Sequence, residues 1–416
     1  MIRNEKGYEE HIKPSTKVLF RIKGRGKYLL TNEVKPSLSL TRVFETDLHG
    51  RISMEGLLMG SIFAHDPYII PELEKIDCTF EELNPQFFER NPVVDGLLGQ
   101  AVGDAFGVPV EFLSRREVRE INLRDMVGCD SGLAFKSRWN GLIPAGAWSD
   151  DTSMTVAAMS SIIGCEGEID YEDIMKQFLN WWERAEYTCL DNFPFGLGST
   201  VAGAFEKYHR GVPALWCGGS GFKDNGNGAL MRMFPFSMYC ILNDYTQVES
   251  LELIRNASRI THGHEINLFS CFFYTLFLNE CIRMRNPKRA YQSAVNRFFD
   301  NYRSSFSAKS MEAHKLLFRE ITEKDFDPDC IPESGYVVDS LTVAVYSILH
   351  TDNYKDAVMM AVNFGYDTDT NAAITGSIAG AMYGSSGIPQ GWLDALRKKE
   401  ELIRIGEKFS ACIGAC

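Results

Sequence analysis

Downstream of residue 92, apolar positions recur mostly at helical spacing. Between Tyr171 and Glu186, the positions of Ile174, Phe178, Leu179, Trp181 and Trp182 predict a helix with both tryptophans in the core. Leu268–Ile282 and Val337–Leu349 are strongly apolar, as buried helices are. Asp356–Phe364 continues the helical pattern. Thr370–Tyr383 follows it with small residues that let neighbouring helices approach closely. The N-terminal ninety residues differ. Lys17 to Leu30 predicts two short strands around a Gly24-Arg25-Gly26 turn. Residues 51–90 mix apolar, acidic and proline positions, predicting one or two short helices and a linker that ends near Asn91-Pro92. Strand signals beyond residue 50 are sparse, and no 20- to 50-residue period suggests a solenoid.

The 416 residues suffice for one large domain plus a smaller one. A net charge of -12 argues against a general nucleic-acid surface. Against that background, residues 13–35 carry seven Lys/Arg and one acid, Glu33. Such a run is either a solvated hairpin face or a partner-binding surface, because concentrated charge steers encounter. The 11 cysteines include no C-x-x-C pair, and the closest two are Cys412 and Cys416. A reduced, cytoplasmic protein is therefore expected. The first residues lack the apolar run of a secretory signal, and no stretch of about twenty uncharged apolar residues exists to span a membrane.

Two acidic clusters stand out: Ser149-Asp150-Asp151 and Asp367-Thr368-Asp369-Thr370, each at the start of an expected helix. Like charges so close repel, and burying them is costly unless a cation neutralises them. Hard oxygen donors without His or Cys suit Mg²⁺, Mn²⁺ or Ca²⁺ rather than zinc. The same residue types also make good helix N-caps, and the two roles are compatible. Gly99, Gly103 and Gly107 line one side of a helix, permitting close packing or approach of a ligand. Glu111, just past that helix, is a surface charge or a catalytic base. Gly226-Asn227-Gly228 forms a turn or an anion-binding loop. Thr261-His262-Gly263-His264 is a weak metal signal and is better read as local polar packing.

Taken in order, Gly103-Asp-Ala-Phe-Gly-Val-Pro-Val-Glu111, Trp148-Ser-Asp-Asp-Thr-Ser-Met154, Gly226-Asn-Gly-Ala-Leu-Met-Arg232, the Thr261–His264 motif and Asn363-Phe-Gly-Tyr-Asp-Thr-Asp-Thr-Asn371 resemble the ADP-ribosylglycohydrolases over about 325 residues. The resemblance implies an all-α, large orthogonal helical bundle over residues 91–416, with residues 1–90 as an extension containing a β-hairpin. It implies two adjacent Mg²⁺ (or Mn²⁺) ions held by Ser149, Asp150, Asp151, Asp367, Asp369 and Thr370. The implied catalytic carboxylates are Glu111, Asp151 and Asp191. Asp104, Gly226, Asn227, Gly228, His262 and Tyr366 would meet the substrate. The chain departs from the family pattern at three places. Ser149 replaces a usual Thr, Tyr366 replaces a usual Gly, and Gly196 stands where arginine-specific members often carry an Asp. The implied activity removes ADP-ribose from modified protein side chains. The family also permits an immunity role, in which the extension blocks an ADP-ribosylating toxin.

Overall fold

Proline at the first helical position has no N–H to leave unsatisfied. Pro92 accordingly opens the glycine-rich helix α1 (Pro92–Gly107). The structure is a computed structural model that describes residues 90–129, 143–243, 245–319, 321–322 and 326–413, together with six strands nearer the N-terminus. After α1 come α2 (Arg115–Ile121), α3 (Asp150–Gly164), α4 (Tyr171–Arg184), α5 (Ser199–His209) and α6 (Phe234–Leu242). They are followed by α7 (Gln247–Arg259), α8 (Glu265–Met284), α9 (Pro287–Asn301), α10 (Ala308–Ala313) and α11 (Lys315–Arg319). The chain ends with α12 (Val337–Leu349), α13 (Tyr354–Val362), α14 (Thr368–Tyr383), α15 (Gln390–Ala395) and α16 (Lys399–Ile413). This is the all-α architecture expected.

The chain divides into a unit of Met1–Asn91 with Leu242–Tyr245 and a unit of Pro92–Ile241 with Thr246–Cys416. In the first, strands β1 (Ile2–Arg3) and β2 (Glu9–Glu10) pair antiparallel. Strands β3 (Val18–Ile22), β4 (Lys27–Thr31), β5 (Arg42–Glu45) and β6 (Leu73–Thr79) form a second sheet in the order β5-β4-β3-β6. Strands β3 and β4 pair antiparallel, from Val18 opposite Thr31 to Ile22 opposite Lys27, on either side of the Gly24-Arg25-Gly26 sequence. Where helices were expected between 51 and 90, the described part is strand β6, which pairs with β3. Its partner lies some fifty residues upstream, and strand formation depends on such partners more than on local composition. The side chains of the basic run, the rest of 51–89 and Cys416 lie outside the described residues.

In the second unit, α1 and α14 cross through glycine. A Cβ on Gly99 would lie 2.2 Å from the Gly376 carbonyl oxygen, and one on Gly103 would lie 2.1 Å from that of Ala372. At the site end, a Cβ on Gly107 would meet the Asp369 Cα at 2.4 Å, and Thr368 Oγ1 donates to the Gly107 carbonyl at 2.8 Å. The glycine face thus serves helix packing, and it brings the C-terminal end of α1 against the start of α14. Of the α4 tryptophans, Trp181 is fully buried but Trp182 is 39% exposed. Adjacent helical positions diverge by about 100°, so one face cannot hold both. Cys165, Cys189, Cys217, Cys240, Cys271, Cys281 and Cys330 carry free thiols. No described helix is long and apolar enough to cross a membrane.

Candidate active site

Several helices here are capped by the side chain at their N-terminus. Ser114 and Glu117 form a capping box on α2, Thr246 and Glu249 form one on α7, and Asp170 caps α4. The starts of α3 and α14 are not. Neither Ser149 nor Asp367 makes a side-chain cap bond. For α3 the cap comes from another helix. Asp104 of α1 accepts from the Ser149 N–H (2.9 Å), the Thr152 N–H (3.1 Å) and the Thr152 hydroxyl (2.7 Å). The Ser149 hydroxyl is left to donate to Asp151 Oδ2 at 2.9 Å. Gln100, one turn earlier on α1, donates to the Asp151 carbonyl and to the Met231 carbonyl, tying α3 to the segment after the Gly226 loop.

The capping function is therefore not what the acidic clusters do. Their carboxylates converge instead. Oxygens of Asp104, Asp151 and Asp369 lie within 4.8 Å of one another, and so do oxygens of Glu111, Asp367 and Asp369. Asp369 belongs to both groups. Asp151 is 1% exposed and its Oδ1 has no hydrogen-bond partner. Its Oδ2 also receives the Thr370 hydroxyl at 3.4 Å. Burial pushes Asp104 up to about 6 and Asp150 up to about 8, the latter helped by repulsion from Asp104 and Asp367. Asp151 and Asp369 are driven well above the usual carboxylate range, again by burial first and neighbouring carboxylates second. Asp367 is raised by burial despite the bond it receives from Asn227. An unpartnered, buried oxygen amid carboxylates that resist ionisation, with the Ser149 and Thr370 hydroxyls beside Asp151, is a set of hard oxygens that fits a divalent cation.

The second carboxylate group is assembled by loops. After a short 3₁₀ turn at Val108–Val110, the Phe112 N–H donates to the Tyr366 carbonyl (2.6 Å) and the Tyr366 N–H to the Leu113 carbonyl (2.7 Å). These two bonds set Glu111 beside Asp367. Buried Arg115 holds the strand of chain entering Asp367 by donating to the Phe364 and Ile331 carbonyls. Asn227 Nδ2 donates to Asp367 Oδ2 (2.7 Å) and to Ser340 Oγ (2.8 Å). The Asn227 N–H goes to the Gly335 carbonyl (3.1 Å), so it is not offered to an anion as the sequence suggested. Gly228 faces the His262 ring, where a Cβ would approach Cε1 to 3.0 Å. His262 is buried, and burial followed by the nearby Arg232 lowers it to about 3, so it is neutral at physiological pH. Arg232 Nη2 donates to Thr261 Oγ1 (2.7 Å), which in turn pairs with His262 Nδ1 (2.9 Å). Thr261 Oγ1 thus ties the Nδ1 side of the ring to Arg232, and Nε2 lies on the side of Gly226 and Gly228. His264 instead caps α8.

A sequence model of the ADP-ribosylglycohydrolases matches residues 84–415. The chain belongs to this family. It is 30% identical to the ADP-ribosylarginine hydrolase Tri1 of Serratia proteamaculans over 346 residues, 82% of this chain and 81% of that protein. It is 31% identical to the ADP-ribosyl-[dinitrogen reductase] glycohydrolase of Rhodospirillum rubrum over 309 residues, 73% of this chain and 90% of that protein. A solved structure described as an ADP-ribosylglycohydrolase-related protein complex superposes with a TM-score of 0.60 at 26% identity, covering 77% of this chain and 98% of the other.

For an ADP-ribosylglycohydrolase, three placements are distinctive. Gly196 has φ +99°, and a Cβ there would lie 2.1 Å from Asp150 Oδ1, so the backbone is flush against that carboxylate. Asp191 is exposed on the turn leading to it and joins neither carboxylate group among the described residues. Tyr366 is 40% exposed at φ +61°. Three contributors were not singled out from sequence: Gln100, Arg115 and Ser340. Asp104 was placed with the substrate but lies inside a carboxylate group. Its spacing gave one signal, since it shares the face-to-face helix of Gly103 and Gly107.

Proposed function

We propose that this glycohydrolase is a metal-dependent enzyme that releases ADP-ribose from modified protein side chains, with ADP-ribosylarginine as its substrate. The observation that carries the metal dependence is the position of Asp369 in two adjoining carboxylate groups, beside the unpartnered Asp151 Oδ1. Asp104, Asp151 and Asp369 would hold one ion, and Glu111, Asp367 and Asp369 would border a second, with Ser149, Asp150 and Thr370 close by. The oxygen donors favour Mg²⁺, with Mn²⁺ as a substitute. When bound, such ions orient ribose hydroxyls and favour ionisation of water. The relatives named as an ADP-ribosylarginine hydrolase and an ADP-ribosyl-[dinitrogen reductase] glycohydrolase support the substrate class.

The chain's own groups divide the remaining work. The bond broken joins the anomeric carbon to the guanidine nitrogen, and positive charge builds on that carbon as it breaks. The surrounding carboxylates are placed to stabilise this charge. A carboxylate oxygen of Glu111 takes the proton of the attacking water. The water oxygen bonds the anomeric carbon, the bonding pair leaves with the guanidine nitrogen, and a proton returns to that nitrogen. Neutral His262, through Nε2–H, donates to a phosphate oxygen near Gly228 without changing charge. The test uses an ADP-ribosylarginine peptide with and without Mg²⁺. Release of ADP-ribose that needs Mg²⁺ and is lost in Asp369→Asn supports the proposal. Equal release by the parent after chelation, or by Asp369→Asn, removes it.

The run of seven Lys/Arg against one acid between residues 13 and 35 favours a second role, docking onto an acidic partner surface such as that of an ADP-ribosylating toxin. Reversing four of those charges in the full chain should abolish protection against such a toxin while hydrolysis continues. Unchanged protection would limit the protein to hydrolysis.

A further inference from the structure

Large apolar rings are seldom displayed to solvent side by side, and bulky residues seldom adopt a left-handed backbone. Phe112 and Tyr366 do both. Phe112 has φ +64° and is 41% exposed; Tyr366 has φ +61° and is 40% exposed. Their rings meet edge to face, with centroids 5.5 Å apart and an interplanar angle of 80°. The reciprocal backbone bonds between 112–113 and 366 hold both residues in this conformation. Gly365, at φ +76°, is pressed against the Arg115 backbone, with a Cβ position 2.4 Å from its N, so the turn is fixed from behind as well. Strain of this kind persists only where the surroundings impose it, and it concentrates at ligand clamps.

The location gives the pair its meaning. Phe112 follows Glu111 and Tyr366 precedes Asp367, and the carboxylates of Glu111 and Asp367 belong to one group. The rings therefore border the carboxylate group that contains Glu111, the residue assigned to take the proton of the attacking water. A group docking there meets exposed aromatic faces beside carboxylate oxygens. A planar cation satisfies both features, since it stacks on an aromatic face and is attracted by the carboxylates. A neutral hydroxyl-linked side chain satisfies neither.

Building on the proposed hydrolase function, we infer that Phe112 and Tyr366 form an aromatic wall that stacks on the guanidinium of the modified side chain, selecting arginine-linked over serine-linked ADP-ribose. They act as specificity-determining residues. The test measures calorimetric Kd of the full-length, Mg²⁺-loaded protein for an ADP-ribosylarginine peptide and an ADP-ribosylserine peptide, alongside turnover of each. Phe112→Leu and Tyr366→Leu remove the π face and keep apolar bulk. Each should weaken the arginine-linked peptide about 3- to 10-fold, within the range of cation–π energies, and shift the serine-linked peptide less than twofold. Tyr366→Phe and Phe112→Tyr should retain the parent's selectivity. Equal weakening of both peptides, or no change in either, overturns the inference. A parent that binds with the expected selectivity but turns over neither peptide would sink the hydrolase proposal and leave the wall standing. A parent with no preference between the two linkages would sink the wall alone.

Discussion

Gly103→Ala tests whether the crossing of α1 and α14 sets the carboxylate geometry. The added Cβ would lie 2.1 Å from the Ala372 carbonyl oxygen and 2.7 Å from its carbon, both backbone atoms that no rotamer change can move. Ordinary van der Waals contact begins at 3.4 Å, so the helices must separate locally by about 1 Å. Overpacking of a close-packed core costs typically about 1–3 kcal/mol. The displacement matters more to function than to stability. Asp104 follows Gly103 directly, and Asp369 lies within one turn of Ala372, so the same movement widens the Asp104–Asp151–Asp369 group. A shift of about 1 Å at a reacting centre is enough to lower rate on the order of 100-fold. Urea melts report stability, Mg²⁺ titration by calorimetry reports affinity, and ADP-ribose release reports rate. Gly203→Ala is the control, because its Cβ meets nothing within 4 Å inside α5, and Ala there should stabilise by about 0.5–1 kcal/mol. Gly103→Ala with the parent's stability, Mg²⁺ affinity and rate would refute the argument that this glycine face positions the site.

The metal-free protein should lose stability as pH rises. Asp104 and Asp150 titrate near 3.8 when unfolded but near 6 and 8 when folded, so between about pH 4 and 8 the folded state holds more protons and rising pH favours unfolding. Asp104 alone contributes a loss of about 3 kcal/mol across its window, and thermal melts from pH 5 to 8.5, with Mg²⁺ restoring stability most at the alkaline end, check this. Asn227→Ala removes the donor to Asp367 Oδ2 and should weaken Mg²⁺ binding by about 10- to 100-fold with the fold intact by circular dichroism. The His262 ring should show no titration between pH 5 and 8 by NMR, because burial keeps it neutral down to about 3.

Helices with a sustained apolar pattern were legible within a few residues: Val337–Leu349 matches α12, and Thr370–Tyr383 lies inside α14. Local periodicity fixes such elements because their burial repeats with the helical turn. The glycine spacing of α1 left close packing or the approach of a ligand open, and the structure shows packing against α14. What the sequence did not show depends on partners distant in the chain. Strand β6 is defined by β3, and Trp182 turns outward because Trp181 occupies the buried side of α4. Within the site, the acidic clusters announced themselves by charge density. That Asp104 would cap α3, and that Glu111 would adjoin Asp367, follow from a helix crossing and two backbone bonds that no local spacing encodes.

The flush contact between Gly196 and Asp150 has an evolutionary consequence. With a Cβ position 2.1 Å from Asp150 Oδ1, no single substitution can install a carboxylate at 196 without evicting the one at 150. In a lineage descending from this chain, the positive φ at 196 and the contact with Asp150 Oδ1 both oppose the Asp-bearing form of the loop until 150 or the local backbone shifts. The two positions are epistatic, and the order of changes is constrained. Mutational libraries that vary 196 alone should therefore return glycine.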